Sequence, residues 1–397
     1  MTYKEDISFD NTSKAFSAKS DIQLKRSLWL FKFMQNSTLV SIFSKLTLFA
    51  IKIGLPIKSI IKATIFRQFC GGENITETTE IVNQLQKSNI GSILDYSVEG
   101  KELVEDFERT KNEVIKIIHL AANNPAIPYT SLKLTGIIPF SVLEKVNDKE
   151  TLNELEKQEY KDGKKRLNEI CLNAHKNKVP IYFDAEESWV QEAIDRLAEE
   201  MMRTYNQESA IILTTLQMYR WDRLDYLNLL IQLSRNEKFF IGIKLVRGAY
   251  LEKENKRASE LAYKSPIHIT KQNTDIDFDK AVKTCLENID ILTLCAGTHN
   301  EDSTMYLINE MKRLGISNNN KNVYFSQLYG MSDHISYNLA DHGYNITKYL
   351  PYGPIKSVIP YLIRRAQENT AIAGQMSREL NLIVEEEKRR TEQKLLK

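Results

Sequence analysis

Nucleotide-binding glycine motifs are absent from this 397-residue sequence. It contains no G-x-G-x-x-G and no G-x-x-x-x-G-K-[ST], the fingerprints of a Rossmann dinucleotide domain and of a P-loop. Both of these nucleotide-binding folds are therefore disfavoured. Any nucleotide cofactor has to be held by a surface of another kind.

The chain is also poor in the residues that build metal centres and disulfide frameworks. It has no C-x-x-C spacing, which argues against a zinc site and against disulfide bonds; the four cysteines are Cys70, Cys171, Cys285 and Cys295. The six histidines form no H-x-x-x-H or H-E-x-x-H pair, and no G-x-S-x-G element occurs. The sequence predicts no metal site and no serine hydrolase, and the unpaired cysteines indicate a reducing compartment.

A long uncharged apolar run is missing as well. The most apolar stretch, residues 28–66, is interrupted by five lysines, whereas a membrane-spanning helix needs about 20 nearly uncharged residues. We expect amphipathic helices here, either packed on the main domain or lying on a membrane surface with their lysines toward anionic headgroups. The N-terminus, MTYKEDISFDNTSKAF, resembles neither a secretory signal nor a transit peptide. We therefore predict a cytoplasmic protein, peripheral at the inner face of the cytoplasmic membrane if the helices contact lipid.

Charge of one sign does not dominate the sequence. Lys and Arg number 54 and Asp and Glu number 52, which gives a formal net charge of +2. A chain of this balance has no global field that attracts nucleic acid. Small molecules are the expected partners.

From Gly91 onward, short β-branched apolar segments alternate with longer helical ones, as is typical of a parallel sheet. Eight such segments follow one another: NIGSILDYS, TSLKLTGI, VPIYFDAE, SAIILTTLQMY, KFFIGIKLVRGAY, IDILTLCAGTHN, KNVYFSQLYG and YNITKYLPYG. We predict a closed (βα)8 barrel of the TIM type, which needs roughly 250 residues. The expected division is a helical N-terminal segment over 1–88, the catalytic barrel over 89–370 with a solvated helical insertion near 141–178, and a C-terminal helix over 371–397.

Polar residues lie at the ends of these segments, where catalytic groups collect in such a barrel. They are Asp95, Lys133, Asp184, Gln217, Lys244, Arg247, Thr298, His299, Gln327 and Tyr349. With the adjacent Arg364 and Arg365 after the last segment, this face carries more positive than negative charge, so it should attract a carboxylate or a phosphate. Glu368 is placed to pair with Arg364 at i,i+4 on a helix.

The residues alone leave other functions open. Lys133 or Lys244 at a strand end could form a Schiff base in an aldolase-like lyase. A non-enzymatic, membrane-associated barrel is a further hypothesis. It predicts lipid binding without a cofactor.

Several segments of the barrel region closely resemble the proline dehydrogenase family. They are LKLTG, FDAEE, KLVRGAYLEKE, THNEDS, FSQLYGM and YLPYGPIKSVIPYLIRRAQEN. The resemblance covers roughly residues 91–369, and its last motif is very specific. It implies a monofunctional flavoenzyme that uses FAD in a (βα)8 barrel to oxidise L-proline to Δ1-pyrroline-5-carboxylate, by hydride transfer from proline C5 to flavin N5.

The resemblance implies substrate-binding roles for matching residues. Asp184 matches the active-site aspartate, and Lys133 matches the strand lysine near the substrate carboxylate. Arg364 and Arg365 match the pair that clamps this carboxylate. The remaining matches are Glu368, which supports the clamp, and Tyr250 and Tyr349, which enclose the five-membered ring.

The resemblance also implies cofactor-binding positions, which are Ala185, Gln217, Lys244, Arg247, Gly248, Ala249, Thr298 and His299. Lys244 is a catalytic candidate as well. Here the chain departs from the family pattern: many members have Arg then Lys in R-x-V-K-G-A-Y, whereas this sequence has Lys244 and Arg247. A lysine cannot make the bidentate contact of an arginine.

Two further expectations follow from the resemblance. The family passes electrons to membrane quinones, which gives residues 28–66 a purpose in docking near a bilayer. Tyr349 places a bulky ring beside proline C4, which favours proline over 4-hydroxyproline, so a 4-hydroxyproline dehydrogenase is the nearest alternative.

Overall fold

A closed barrel of eight parallel strands forms the centre of the protein, and β8 pairs with β1 to complete the ring. The structure is a computed structural model that describes residues 7–53, 55–97, 103–371 and 373–396, and side chains at 37, 51–52 and 367–377 lie outside the described part. The strands are β1 (Gly91–Tyr96), β2 (Tyr129–Leu132), β3 (Ile181–Phe183), β4 (Ile212–Gln217), β5 (Ile241–Val246), β6 (Leu292–Gly297), β7 (Val323–Leu328) and β8 (Ile346–Tyr352). The predicted (βα)8 barrel is confirmed.

Helices precede the barrel, connect its strands and follow β8. Their bounds are α1 (Thr12–Ala15), α2 (Asp21–Met34), α3 (Ser37–Lys52), α4 (Lys58–Ile61), a π-helical turn (Lys62–Phe66), α5 (Arg67–Phe69), α6 (Ile75–Gln86), α7 (Val104–Ala122), α8 (Phe140–Asn147), α9 (Glu154–Asn177), α10 (Ser188–Tyr205), α11 (Arg223–Glu237), α12 (Leu251–Glu260), α13 (Lys271–Glu287), α14 (Glu301–Arg313), α15 (Asp333–Asp341), α16 (Ile355–Ala371) and α17 (Ala373–Leu395). A 3₁₀ turn, Leu134–Gly136, follows β2.

The strands are nearly continuous apolar runs because the barrel buries both of their faces. β2 and β4 are buried along their whole length. Inside the barrel, the ring of Tyr129 stacks on that of Tyr182 at 4.9 Å and meets that of Tyr324 edge-on at 4.8 Å. Tyr129 begins β2 and Tyr324 lies in the second position of β7, so these rings fill the interior toward the amino ends of the strands. The carboxyl ends are left as the open face.

Residues 141–178 form most of α8 and α9, between β2 and β3. α9 differs from a solvated insertion because it buries Leu167, Ile170, Cys171 and Ala174 in the core around the barrel. Its lysines and glutamates occupy the opposite face, and a capping box of Asn153 and Glu156 fixes its start. This stretch supplies the helical layer that covers the barrel between β2 and β3.

A second apolar core joins the two ends of the chain. Phe16, Phe31 and Phe66 of the N-terminal region pack with one side of α16 and with Leu382 and Ile383 of α17. Arg390 of α17 donates hydrogen bonds to the carbonyl oxygens of Phe16 and Lys19 and to Asp21. The terminal helices therefore support α16, which follows the last strand.

The predicted helices of residues 28–66 are present as α2, α3, α4 and the π-helical turn. α2 buries Leu24, Leu30, Phe31 and Met34 in the second core. α3 packs against α16 but leaves most of its bulky side chains exposed. Among the described residues, every helix is too short or too polar to cross a membrane.

Candidate active site

A cavity of about 820 Å³ opens at the carboxyl ends of the strands. Its volume lies within the roughly 300–1,000 Å³ typical of small-molecule sites. Asp95, a strand-end candidate, is paired with Lys133 but does not line the cavity. The residues to which the family resemblance gives a binding role, and whose side chains are described, all line it: Lys133, Asp184, Ala185, Gln217, Lys244, Arg247, Gly248, Ala249, Tyr250, Thr298, His299, Tyr349, Arg364 and Arg365. The backbone of Glu368 lies in α16, but its side chain is outside the described part of the chain.

Asp184 is the centre of this cavity's ion-pair network. It follows β3 directly, and its Oδ1 accepts a hydrogen bond from Lys244 Nζ of β5. Its Oδ2 accepts the hydroxyl proton of Tyr349 at 2.5 Å and lies 3.8 Å from Lys133 Nζ. Burial alone would raise the pKa of Asp184, but the charges of Lys244 and Lys133 outweigh it, so the pKa is lowered. Asp184 is therefore a carboxylate at neutral pH.

Two tyrosine rings enclose the ammonium group of Lys244. Its Nζ lies 5.1 Å from the ring centroid of Tyr182 and 5.0 Å from that of Tyr349. Cation–π contacts of this kind add to the ion pair with Asp184. Burial and the charge of Asp184 raise the pKa of Tyr349 well above its ordinary value, so its hydroxyl stays a hydrogen-bond donor. The arrangement fixes the Tyr349 ring in the cavity wall.

Lys133 lies between two aspartates. Its Nζ is 3.3 Å from Asp95 Oδ2 and 3.8 Å from Asp184 Oδ2. Ser97 donates a hydrogen bond to Asp95, and Ser131 lies 3.4 Å from the Tyr349 hydroxyl. The strand-end pattern pointed to Asp95 as a polar position. The supporting serines were missed because a serine within a strand, or directly after one, carries no distinctive signal.

Arg364 and Arg365 both reach the cavity from α16. The Arg364 guanidinium lies 5.9 Å from the ring centroid of Tyr250, and that of Arg365 lies 5.2 Å from the ring of Tyr361. Adjacent helical residues point about 100° apart, so the two guanidiniums approach from different directions. Arg365 is buried and Arg364 is half-buried.

A second part of the cavity follows β4, β5 and β6. The Arg247 guanidinium donates to Asp275 at 2.7 Å, to Thr298 at 2.5 Å and to Ser303 at 3.0 Å, and it stacks on the Phe278 ring. These contacts hold its position before any ligand binds. A fixed guanidinium beside a cavity is suited to an anionic group such as a phosphate.

Gln217 and Gly248 shape the same region. Gln217 donates its amide proton to the carbonyl oxygen of Glu186 at 2.6 Å and accepts from the backbone nitrogen of Ala249 at 3.4 Å. Gly248 has φ of +136°, and a Cβ there would lie 2.5 Å from the Tyr219 ring. Only glycine fits against Tyr219 in this conformation, and the backbone of Gly248 and Ala249 forms part of the cavity wall.

Buried polar atoms test whether the cavity fits a cofactor. The Thr215 hydroxyl and His334 Nδ1 belong to cavity-lining residues, and neither has a hydrogen-bond partner among the described residues. Burying a polar group without a partner is costly. These two polar atoms, the fixed Arg247 and the backbone of Gly248 and Ala249 in the cavity wall together fit a large polar ligand such as a flavin nucleotide.

His299 is held neutral beside the cavity. Its Nδ1 lies 2.9 Å from Ser332 Oγ. Burial, followed by the charges of Lys348 and Arg365, lowers the pKa of His299 to about 3. The imidazole therefore stays neutral, with one N–H, throughout the physiological range.

We expect this histidine to make stability depend on pH. In the unfolded chain its pKa is near 6.5, so between about pH 3 and 6.5 the unfolded state binds the extra proton and stability falls as pH falls. The slope is up to about 1.4 kcal/mol per pH unit. Replacing His299→Asn should flatten the decline of the melting temperature between pH 6 and 4.5, whereas substituting the exposed His119 in the same way should not. An unchanged slope in the first variant would contradict this assignment.

A buried lysine next to Tyr349 was missed in the sequence. Lys348 is fully buried, its Nζ lies 2.8 Å from Asp333 Oδ1, and it donates to the carbonyl oxygen of Met331 at 2.6 Å. Lys19 approaches the other oxygen of Asp333 at 2.8 Å. A lysine within the strand ITKYLPY was the available signal. Its alternation with Tyr349 puts it outside the barrel, away from the cavity.

Glu186 was also missed. Its carboxylate accepts from the backbone nitrogen of Thr135 at 3.1 Å and from the Thr135 hydroxyl at 2.5 Å, and its own carbonyl oxygen holds Gln217. Burial raises the pKa of Glu186 to about 7 despite the hydrogen bonds from Thr135. This residue joins the loop after β2 to the one after β3.

Comparison with known proteins agrees with this geometry. The family model described as proline dehydrogenase matches residues 78–378. The chain is 33% identical to proline dehydrogenase 1, mitochondrial, of Dictyostelium discoideum, over 96% of this chain and 74% of the relative. It is 31% identical to the carbapenem antibiotics biosynthesis protein CarD of Pectobacterium carotovorum, over 91% and 94%. It is 30% identical to the hydroxyproline dehydrogenase of Xenopus laevis, over 83% and 78%.

Solved structures share the fold. The chain matches proline utilization A of Bdellovibrio bacteriovorus with a TM-score of 0.71 and 19% identity, over 93% of this chain but only 40% of that protein. At this identity the likeness supports the barrel architecture alone. The family match, by contrast, spans most of the chain and includes the strands that line the cavity. The chain belongs to the proline dehydrogenase family.

Proposed function

We propose that the protein oxidises L-proline to Δ1-pyrroline-5-carboxylate, the first step of proline catabolism, with FAD bound in the cavity. One observation carries the proposal: two arginines, a lysine, an aspartate and two tyrosines from distant parts of the chain converge on the same cavity. Proline offers one carboxylate for the cations and one apolar ring for the tyrosines. A flavin supplies the hydride acceptor for such a reaction.

The charges of the cavity favour an anionic substrate. Its lining includes seven cations, Lys133, Lys244, Arg247, Lys271, Arg364, Arg365 and Arg378, against three carboxylates, Asp184, Glu301 and Asp302. We assign the proline carboxylate to Arg364, Arg365 and Lys133. The same excess of cations disfavours the ammonium form of bound proline and so favours the neutral amine.

Positioning is the main contribution of these residues to the reaction. Holding a substrate in the reactive orientation contributes up to about 7–11 kcal/mol in favourable cases. Tyr250 and Tyr349 cover the proline ring and exclude water. Asp184 accepts hydrogen bonds from the Tyr349 hydroxyl and from the Lys244 ammonium group, and so holds both side chains in place. Lys244 thus contacts both the Asp184 carboxylate and the Tyr349 ring and helps to hold them in position.

The cofactor belongs to the other part of the cavity. Arg247 and the backbone at Gly248 and Ala249 would hold its phosphates, and Gln217, Thr298 and His299 would contact its polar edges, with Ala185 in the wall. Because His299 is neutral, it can accept or donate a hydrogen bond without adding a positive charge there. Lys133 and Lys244, by contrast, are both ion-paired with aspartates, which does not favour the neutral amine that a Schiff-base lyase needs.

We further propose that a membrane quinone is the electron acceptor and that the protein works at a membrane surface. The support from the molecule is α3, a helix that packs against α16 and exposes a continuous set of apolar side chains. α16 also carries Arg364 and Arg365. A lipid surface at α3 would lie close to the helix that forms one wall of the cavity.

The visible spectrum of the purified protein tests the proposed function. We expect a yellow protein whose flavin absorbance is bleached by L-proline in the absence of an acceptor, and not by D-proline at the same concentration. Release of the chromophore by denaturation and its identification by mass then separates FAD from FMN. A colourless protein that is trapped by borohydride with a carbonyl substrate would instead support a lyase.

A preference for proline over 4-hydroxyproline is the second outcome that we expect. Hydrogen bonding to Asp184 holds the Tyr349 ring in the cavity wall, and a hydroxyl on proline C4 would meet that ring. A site that lacks room for one small group discriminates against the larger substrate by about 1–3 kcal/mol, or 10- to 200-fold in kcat/KM. Tyr349→Ser should lower the ratio of kcat/KM for proline to kcat/KM for 4-hydroxyproline, while Tyr250→Phe should leave this ratio near its original value. Equal kcat/KM for both substrates in the unaltered protein would favour the hydroxyproline alternative.

A further inference from the structure

The face of α3 that contacts the rest of the protein is small, and the bulky apolar face is turned outward. The helix is buried at Val40 and Ala50 and half-buried at Ser44 and Thr47. These four positions repeat at three- and four-residue intervals, so they form one stripe along the helix. The stripe packs against α16 and α2.

The remaining apolar side chains of this region are exposed to an unusual degree. Those with 39–74% of their surface exposed are Ile22, Trp29, Leu39, Ile42, Phe43, Leu46, Leu48, Phe49, Ile53, Leu55 and Ile60. Eleven of the 24 exposed large hydrophobic residues in the described chain thus fall within 39 consecutive positions. Single exposed apolar residues need no explanation, but a contiguous set of this size indicates an interaction surface. We call these eleven exposed side chains the α3 surface.

The charge of the same region limits what can cover it. Residues 22–72 contain no aspartate and no glutamate, although the chain has 52 acidic residues in total. They do contain eight cations: Lys25, Arg26, Lys32, Lys45, Lys52, Lys58, Lys62 and Arg67. A second copy of this surface would bring like charges together, which disfavours self-association through it. An anionic lipid surface is complementary both to the apolar side chains and to the cations.

The length of α3 decides how the helix meets the bilayer. Its 16 residues extend about 24 Å at 1.5 Å per residue, which is less than the roughly 30 Å of a hydrocarbon core. Lys45 lies in the middle of the helix and is exposed, so a transmembrane orientation would put its charge within the bilayer. A helix in the plane of the interface places Phe43, Leu46 and Phe49 among the acyl chains and lets Lys45 extend to the headgroups.

We propose that the α3 surface inserts into one leaflet of an anionic membrane, with α3 parallel to the bilayer plane and the flanking lysines and Arg26 on the lipid headgroups. This deepens the proposed function, because it assigns the membrane contact to particular side chains. The insertion depends on the proposed function only for the biological role of membrane binding. Lipid binding itself requires neither proline nor a cofactor.

Flotation with vesicles tests the insertion. The holoprotein should float with vesicles that contain phosphatidylglycerol and phosphatidylcholine, and at least tenfold less should float with phosphatidylcholine alone. The double variant F43D/F49D should lose at least 90% of the vesicle-bound fraction, since charged groups on the inserted face oppose entry into the acyl region. Both positions are exposed, 51% and 59%, so folding should be preserved.

Matched variants separate insertion from general surface effects. L229D/I276D changes two residues that are 48% and 45% exposed on helices of the barrel, and it should float like the unaltered protein. K45E/K58E should reduce the preference for anionic vesicles. Proline oxidation with a soluble dye as acceptor should be the same in all of them, so loss of flotation with normal dye activity leaves the proposed reaction intact.

Three results would overturn the proposal. One is unaltered flotation of F43D/F49D, and another is equal binding of the unaltered protein to anionic and zwitterionic vesicles. The third is a dimer in solution that F43D/F49D converts to a monomer, because the α3 surface would then be covered by a second copy of the chain.

Discussion

Replacing Arg365→Met is expected to raise KM for L-proline about 30-fold or more, with FAD still bound. Arg365 is 7% exposed, and removing one partner of a buried charge-assisted contact costs about 2–5 kcal/mol. We assign Arg365 to the proline carboxylate, which is not the reacting group, so the loss should appear mainly in KM, with a much smaller change in kcat. Steady-state kinetics with a soluble acceptor measure the change in KM, and the flavin absorbance of the purified variant shows whether FAD is still bound.

The neighbouring arginine provides an internal comparison. Arg364 is less buried than Arg365, so Arg364→Met should raise KM by a smaller factor. Arg313→Met on α14, where the arginine is 51% exposed and paired with Glu310, is the matched control and should leave KM unchanged. If Arg365→Met keeps its affinity for proline, the assignment of that residue to the carboxylate is wrong.

The second large effect is expected at Asp184. Asp184→Asn removes the charge that holds Lys244 and Tyr349, so kcat/KM for proline should fall at least a hundredfold. Removing one member of a buried ion pair also costs about 3–5 kcal/mol of stability, because the remaining charge is left without its counter-charge. The melting temperature and the kinetics should therefore both fall in this variant.

A double substitution distinguishes the two consequences. Adding Lys244→Met to Asp184→Asn removes the uncompensated ammonium group, so it should restore at least half of the lost free energy of unfolding without restoring activity. Lys164→Met is the control, since its ion pair with Glu200 is 37% and 48% exposed and contributes about 1 kcal/mol or less. Recovery of activity in the double variant would show that the pair is structural only.

Charged residues in apolar strands made much of the site predictable. Lys244 stands in IGIKLV and Asp184 follows IYF, where the barrel tolerates a charge only with a partner. The fold then placed the partners together at one end. The pattern did not predict that Lys244 pairs with Asp184, because this contact joins β5 to the end of β3 across the inside of the barrel.

Lys348 shows why a similar signal was missed. It also lies in an apolar strand, but strand alternation directs it outward. Its partner Asp333 begins α15, and Lys19, which shares Asp333, comes from the N-terminal region. Such long-range partners carry no local spacing in the sequence. The same limit applies to α3, since periodicity predicts an apolar face but does not say whether that face packs on the protein or away from it.

The shared core of the chain ends has a consequence for truncation. The family match covers residues 78–378 and so omits Phe16, Phe31 and Phe66 on one side and Leu382 and Ile383 on the other. These five side chains belong to the same apolar core as residues of α16. A fragment trimmed to the matched residues would therefore lose part of the core that supports α16, and with it the placement of Arg364 and Arg365, although none of the five omitted residues touches the cavity.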